Sequence, residues 1–212
     1  MLVFLNRVLI ALVFAFLLLP LALHSRTRQH GGVRLLYFIA IGLGYILAEI
    51  AFIQRFVLFL GHPTYALTVV IFLLLLSSGA GSLLSRRWLL DPLRVRVPLA
   101  VVIVLLLAYV WALPPVLRAL VGLPFILKLI VSGAALVPLG LAMGMPFPSG
   151  LRALEGNSIE WAWALNAASS VLGSVLAMVI AIQFGLNLTL ACGAAAYLLA
   201  LALASRLRPR VA

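Results

Sequence analysis

Residues Gly42 to Pro63 read GLGYILAEIAFIQRFVLFLGHP, an apolar run with Glu49, Gln54 and Arg55 in its interior. Its length suits one membrane-crossing helix, and Gly61-His62-Pro63 ends it in a turn. The chain has four acidic residues, Glu49, Asp91, Glu155 and Glu160, and only Glu49 lies within an apolar span. A carboxylate at bilayer depth is costly, so it faces a protein interior, a water-filled cavity or a partner. Arg55 lies about two turns before the break at Gly61, near enough for its head group to snorkel to the interface. Glu49 and Arg55 occupy different faces of the helix, which argues against their pairing within it. A charge that neutralises either one belongs to another helix or another chain. Glu49 therefore has three readings: polar glue between helices, a proton or cation site, or a subunit contact.

Composition sets the class. Of 212 residues, 66% are hydrophobic and 9% charged, and the mean hydropathy is +1.29. Soluble domains do not have that balance, so the expected fold is all-α: a polytopic integral membrane bundle of about seven transmembrane helices. The net charge of +11 raises nucleic acid as a partner. The basic residues sit in short loops between apolar runs, as the positive-inside rule predicts, so nucleic-acid binding is set aside and the lipid bilayer is the expected partner. The single cysteine, Cys192, lies in an apolar run; it excludes an internal disulfide and reads as a small packing residue.

The expected spans are about 2–23, 33–60, 65–84, 97–117, 124–145, 159–184 and 188–203, forming one transmembrane domain over 1–212. The first has one early positive charge, Arg7, and no small-x-small cleavage site, so it reads as a retained span rather than a signal peptide. Pro114-Pro115 should break or bend the end of the fourth span, and Pro138 lies inside the fifth. Gly144-Met145-Pro146-Phe147-Pro148-Ser149-Gly150 cannot be an undisturbed helix. With the N-terminus outside, the inside loops hold Arg26, Arg28, Arg34, Arg86, Arg87, Arg94, Arg96, Arg152, Arg206, Arg208 and Arg210. The outside segments hold only Arg7, Arg118 and Lys128. That asymmetry favours an outside N-terminus, a cytoplasmic C-terminus and an odd number of spans. Together with the lack of disulfides, it fits a prokaryotic inner membrane.

Small residues mark the expected helix contacts. Ser78 and Ser82 are four apart, as are Gly81 and Ser85; Asn166, Ser169, Ser170, Gly173, Ser174 and Ala177 recur at spacings of three and four. Such spacing lets backbones approach closely, and Asn166 with the serines can hydrogen-bond across the seam or line a substrate path. Trp111, Trp161 and Trp163 fall near span ends, as interfacial tryptophans do. There is no phosphate-binding loop and no dinucleotide fingerprint after a strand. His24, His30 and His62 are scattered, so no metal and no cofactor are expected. No carboxylate pair or nucleophile–base set points to catalysis.

Three blocks together resemble one family: Gly42 to Arg87, GMPFPSGLRAL at Gly144 to Leu154, and WAWALNAASSVLGSVLAMVIAIQFG at Trp161 to Gly185. They are similar to the C-terminal membrane module of the spermidine synthase-like membrane proteins, which join a major-facilitator-like membrane region to an aminopropyltransferase domain. The likeness covers roughly Val33 to Leu203 and implies a major-facilitator-like half. Positions matching the recurring blocks are Glu49, Gln54, Arg55, His62, Pro63, Pro146, Pro148, Trp163 and Asn166. The soluble synthase-like domain has no counterpart in this sequence, so none of the family's catalytic residues carries over.

Two functions follow as expectations. The first is a non-catalytic membrane module that anchors or assembles with partners, either a separately encoded synthase-like chain or other subunits of a larger membrane complex. The alternative is a transporter or half-transporter for a polyamine or other small cation, with Glu49 as the cation or proton site and the Pro146–Pro148 break as the mobile element.

Overall fold

The computed structural model describes residues 32–88, 92–154 and 158–207. Among them every regular element is helical. Helix α1 spans Gly32–Leu60, α2 Pro63–Trp88, α3 Arg96–Ala119, α4 Phe125–Gly144, α5 Pro146–Leu151, α6 Ser158–Phe184 and α7 Leu186–Leu203. Short 3₁₀ turns at Pro92–Val95 and Ala204–Leu207 pack together at the end of the bundle reached by α5. Six segments are long and apolar enough to cross a membrane, α4 and α5 together counting as one. The expected first span, about 2–23, lies outside the described residues, as do His24, His30, Asp91 and Glu155.

Helix α1 is the axle. Sixty-one per cent of its most apolar window is buried, against 22–33% in the other five segments, so the remaining helices pack around it and turn their outer faces outward. Its aromatic ladder explains the burial: Phe52, Phe56 and Phe59 are enclosed, and Phe52 meets Tyr109 of α3 edge to face at 6.0 Å between ring centroids. Nearer its start, Phe38 packs edge-on against Phe147 of α5 at 5.5 Å, and Phe147 against Trp163 of α6 at 4.6 Å.

Two glycines make the tight reversals. Gly61 adopts φ +82° and donates its N–H to the Val57 carbonyl at 2.9 Å, closing α1 with a left-handed cap. His62 then opens α2: its Nδ1 accepts from the Thr64 amide at 3.2 Å, and Pro63 occupies the first helical position, where a missing N–H costs nothing. Gly185, φ +89°, ends α6 and starts α7 in a single residue, its N–H donating to the Ala181 carbonyl at 3.1 Å.

The prolines disturb the helices less than expected. Helix α3 runs through Pro114 and Pro115 to Ala119 instead of breaking there. Both prolines fall in its last two turns, so the Val110 and Trp111 carbonyls lose their helical amide partners while proline's fixed φ remains helical. Pro138 is carried inside α4. One residue beyond the carbonyl that Pro138 leaves without an amide, the Ala135 carbonyl accepts from Tyr109 Oη at 2.7 Å. The Gly144–Gly150 segment is interrupted only at Met145; α5 resumes with Pro146 at its first position. The Pro146 carbonyl accepts a buried hydrogen bond from Tyr37 Oη at 3.0 Å, which fastens the break to α1.

Candidate functional site

The small residues sit where helices meet. A Cβ on Gly81 of α2 would overlap the Leu141 carbonyl of α4, and one on Gly144 would overlap the Ser78 carbonyl. Gly173 of α6 lies against Leu43 and Ile46 of α1, and Gly42 of α1 lies against Asn166 and Ser169. Asn166 Nδ2 donates across this seam to the Phe38 carbonyl at 3.0 Å, and Ser170 Oγ reaches the Gly42 carbonyl at 3.4 Å. The other serines do not bridge as expected. Ser169, Ser174 and Ser78 donate to carbonyls of their own helices, the local option that a short hydroxyl always has. Ser82 contributes its carbonyl to Ser85 Oγ at 2.7 Å.

The polar residues of α1 do not converge on one site. Glu49 is half-buried, and no hydrogen bond or ion pair reaches its carboxylate among the described residues. Tyr45, one turn earlier on the same face, lies beside Ser78 of α2, yet its buried hydroxyl makes no hydrogen bond of good geometry. Gln54 turns to α6, where its Nε2 is 3.3 Å from Met178 Sδ. Asn166 meets α1 near Phe38 and Gly42, roughly 10 Å or more along the axis from Glu49. Among the described residues no group of three or more His, Cys, Asp or Glu gathers as metal ligands would.

Arg55 is 8% exposed, and its Nη2 donates to Asn187 Oδ1 at 2.5 Å. The one-residue reversal at Gly185 places this acceptor, in the first turn of α7, beside Arg55. Nε and Nη1 of Arg55 are buried with no hydrogen-bond partner. Beside it lies a cavity of about 300 Å³ between α1, the end of α3 and the start of α7. Arg118 and Asn187 complete its polar wall; Leu58, Phe59, Leu117 and Val121 supply much of its apolar wall. Lys128 of α4 places its Nζ 5.6 Å from the centroid of the Phe59 ring, a third cation at this end of the bundle. Neither Asn187 nor Arg118 stands out in the sequence as a site residue. The available signal was distributional: Arg118 and Lys128 are cations on the arginine-poor side, and Asn187 follows a turn glycine.

Fold and site together define a helical protein with six long apolar segments, compatible with an integral membrane bundle. Comparison with protein-family models, with curated proteins and with solved structures gives no match.

Proposed function

We propose that the chain is a non-catalytic membrane module that assembles with partner proteins through the Glu49 face of α1. One observation carries this reading: Glu49 stands within α1, half-buried and without a cation among the described residues, while Arg55 is engaged by Asn187. Glu49 lies about 16 Å along the axis from the end of α1 at Leu60, too deep for its short side chain to reach the interface. A charged carboxylate at such depth costs roughly 2.5–3.5 kcal/mol on insertion scales, which a partner helix bearing a donor or a cation would offset. The α1–α6 seam supports assembly over passage, since Gly42 and Gly173 are filled by neighbouring atoms and leave no polar path there. The resemblance to the spermidine synthase-like membrane proteins would make a separately encoded synthase-like chain one such partner, and a major-facilitator-like half the frame. The arginine asymmetry would set the C-terminus on the cytoplasmic side of a prokaryotic inner membrane.

The test is the native mass of the protein extracted from its source membrane in mild detergent, with co-purifying chains identified, for wild type and Glu49→Gln. A stoichiometric assembly that the substitution loosens is the expected result. A wild-type protein running alone, with cation uptake into liposomes that Glu49→Gln abolishes, would replace this reading with the transport of a polyamine or other small cation.

A further inference from the structure

We propose that the cavity beside Arg55 and Arg118 binds a phosphate oxyanion. Three donor-bearing groups line it: Arg55, Arg118 and the first turn of α7 at Leu186-Asn187. The N-terminus of a helix carries partial positive charge and free amides, which would not make a site alone. Here it faces a side chain that is more than nine-tenths buried and has two unpartnered N–H-bearing nitrogens, Nε and Nη1. Buried donors of a guanidinium that find no acceptor carry a large desolvation penalty. Asn187 satisfies only one edge of the fork.

No carboxylate among the described residues supplies the missing counter-charge. The chain's four acidic residues are Glu49, Asp91, Glu155 and Glu160. Among the described residues, Glu160 lies in the first turn of α6, at the end of the bundle opposite Gly61, Arg118 and Gly185. Glu49 is roughly 9 Å away along α1 and on another face. An oxyanion bound in the cavity would supply the counter-charge. A forked guanidinium pairs best with a planar or tetrahedral oxyanion that accepts two parallel hydrogen bonds, and phosphate does this. The apolar wall of Leu58, Phe59, Leu117 and Val121 would accept hydrocarbon attached to that phosphate. At about 300 Å³ the cavity lies at the small end of the range for ligand sites, enough for a head group and not for whole acyl chains.

Two sources share this chemistry, a phospholipid head group and free phosphate, and the experiment separates them. Delipidated full-length protein in a non-ionic detergent is titrated with phosphatidylglycerol, with diacylglycerol of the same chains, and with inorganic phosphate. Bound copies are counted by native mass spectrometry. Saturable binding of one phosphatidylglycerol, with none of diacylglycerol, is expected if the source is lipid; binding of inorganic phosphate at lower concentration than the lipid assigns the site to the free ion. Arg118 is exposed, so its replacement leaves the fold intact. Arg118→Gln should weaken the occupant about tenfold or more, the loss of a charge-assisted hydrogen bond, and Arg118→Glu should abolish binding. Equal binding of diacylglycerol and phosphatidylglycerol, no binding of either phosphate species, or wild-type affinity in both Arg118 variants overturns the proposal.

Discussion

Gly81→Ala and Gly79→Ala, two residues apart on α2, should have opposite effects on stability. A methyl group at Gly79 meets nothing within 4 Å, whereas at Gly81 it would overlap the Leu141 carbonyl, a backbone atom of α4 that cannot rotate away. Both variants gain the same intrinsic helix preference of alanine over glycine, about 0.8–1.0 kcal/mol at most, and that gain cancels in the comparison. What remains is the steric cost at Gly81. The α2–α4 contact must open, and overpacking of this kind typically costs about 1–3 kcal/mol. For a chain of this size, about 2–4 °C accompanies each kcal/mol, so the two melting temperatures should separate by roughly 2–12 °C, Gly79→Ala at or above wild type. Thermal denaturation in mild detergent, followed by loss of the monodisperse species, reads the difference. If Gly81→Ala melts with or above Gly79→Ala, the close α2–α4 approach is wrong, and with it the reading of the small residues on α2 as a helix contact.

Asn187→Ala removes the acceptor of Arg55 and leaves a buried guanidinium with no partner in the chain, so it should destabilise by about 1–3 kcal/mol, while Asn187→Asp should restore the loss; thermal denaturation of both variants checks this. Tyr37→Phe deletes the hydrogen bond to the Pro146 carbonyl and should cost about 0.5–1.5 kcal/mol; an unchanged midpoint would mean that the helix break needs no fastening to α1. His62→Ala removes the exposed acceptor that caps α2, and a decrease of no more than about 1 kcal/mol is expected in the same assay.

The apolar spans were legible because membrane helices must satisfy their backbones internally, so hydropathy over about 20 residues is nearly sufficient evidence for each. Their ends were less so. The third span was expected at 65–84 and α2 runs Pro63–Trp88, because Pro63 starts a helix well and Arg86 and Arg87 complement the dipole at its end. The Gly144–Gly150 segment is disturbed as expected, at Met145, whereas α3 runs unbroken through Pro114-Pro115 to Ala119. Proline removes an amide, but whether the helix stops depends also on contacts from other helices. Tyr37 and Tyr109 bond carbonyls close to the prolines, and nothing local in the sequence announces them.

Arg55 shows why a site is harder to read than a span. Its own helix places it about two turns from the break at Gly61 and says nothing of its partner. That partner, Asn187, depends on the reversal at Gly185, about 130 positions later in the chain. Charge distribution then does what local pattern cannot. Among the described residues, Arg86, Arg87, Arg94, Arg96 and Arg152 fall at the end of the bundle where Glu160 also lies. At the opposite end Arg55, Arg118 and Lys128 stand with no carboxylate among the described residues paired to them, and one of the three is buried. A surface cation without a counterion is merely solvated. A buried one with two unpartnered nitrogens beside a cavity favours an acceptor there, and that preference, rather than any motif, is what points to this end of the molecule for ligand binding.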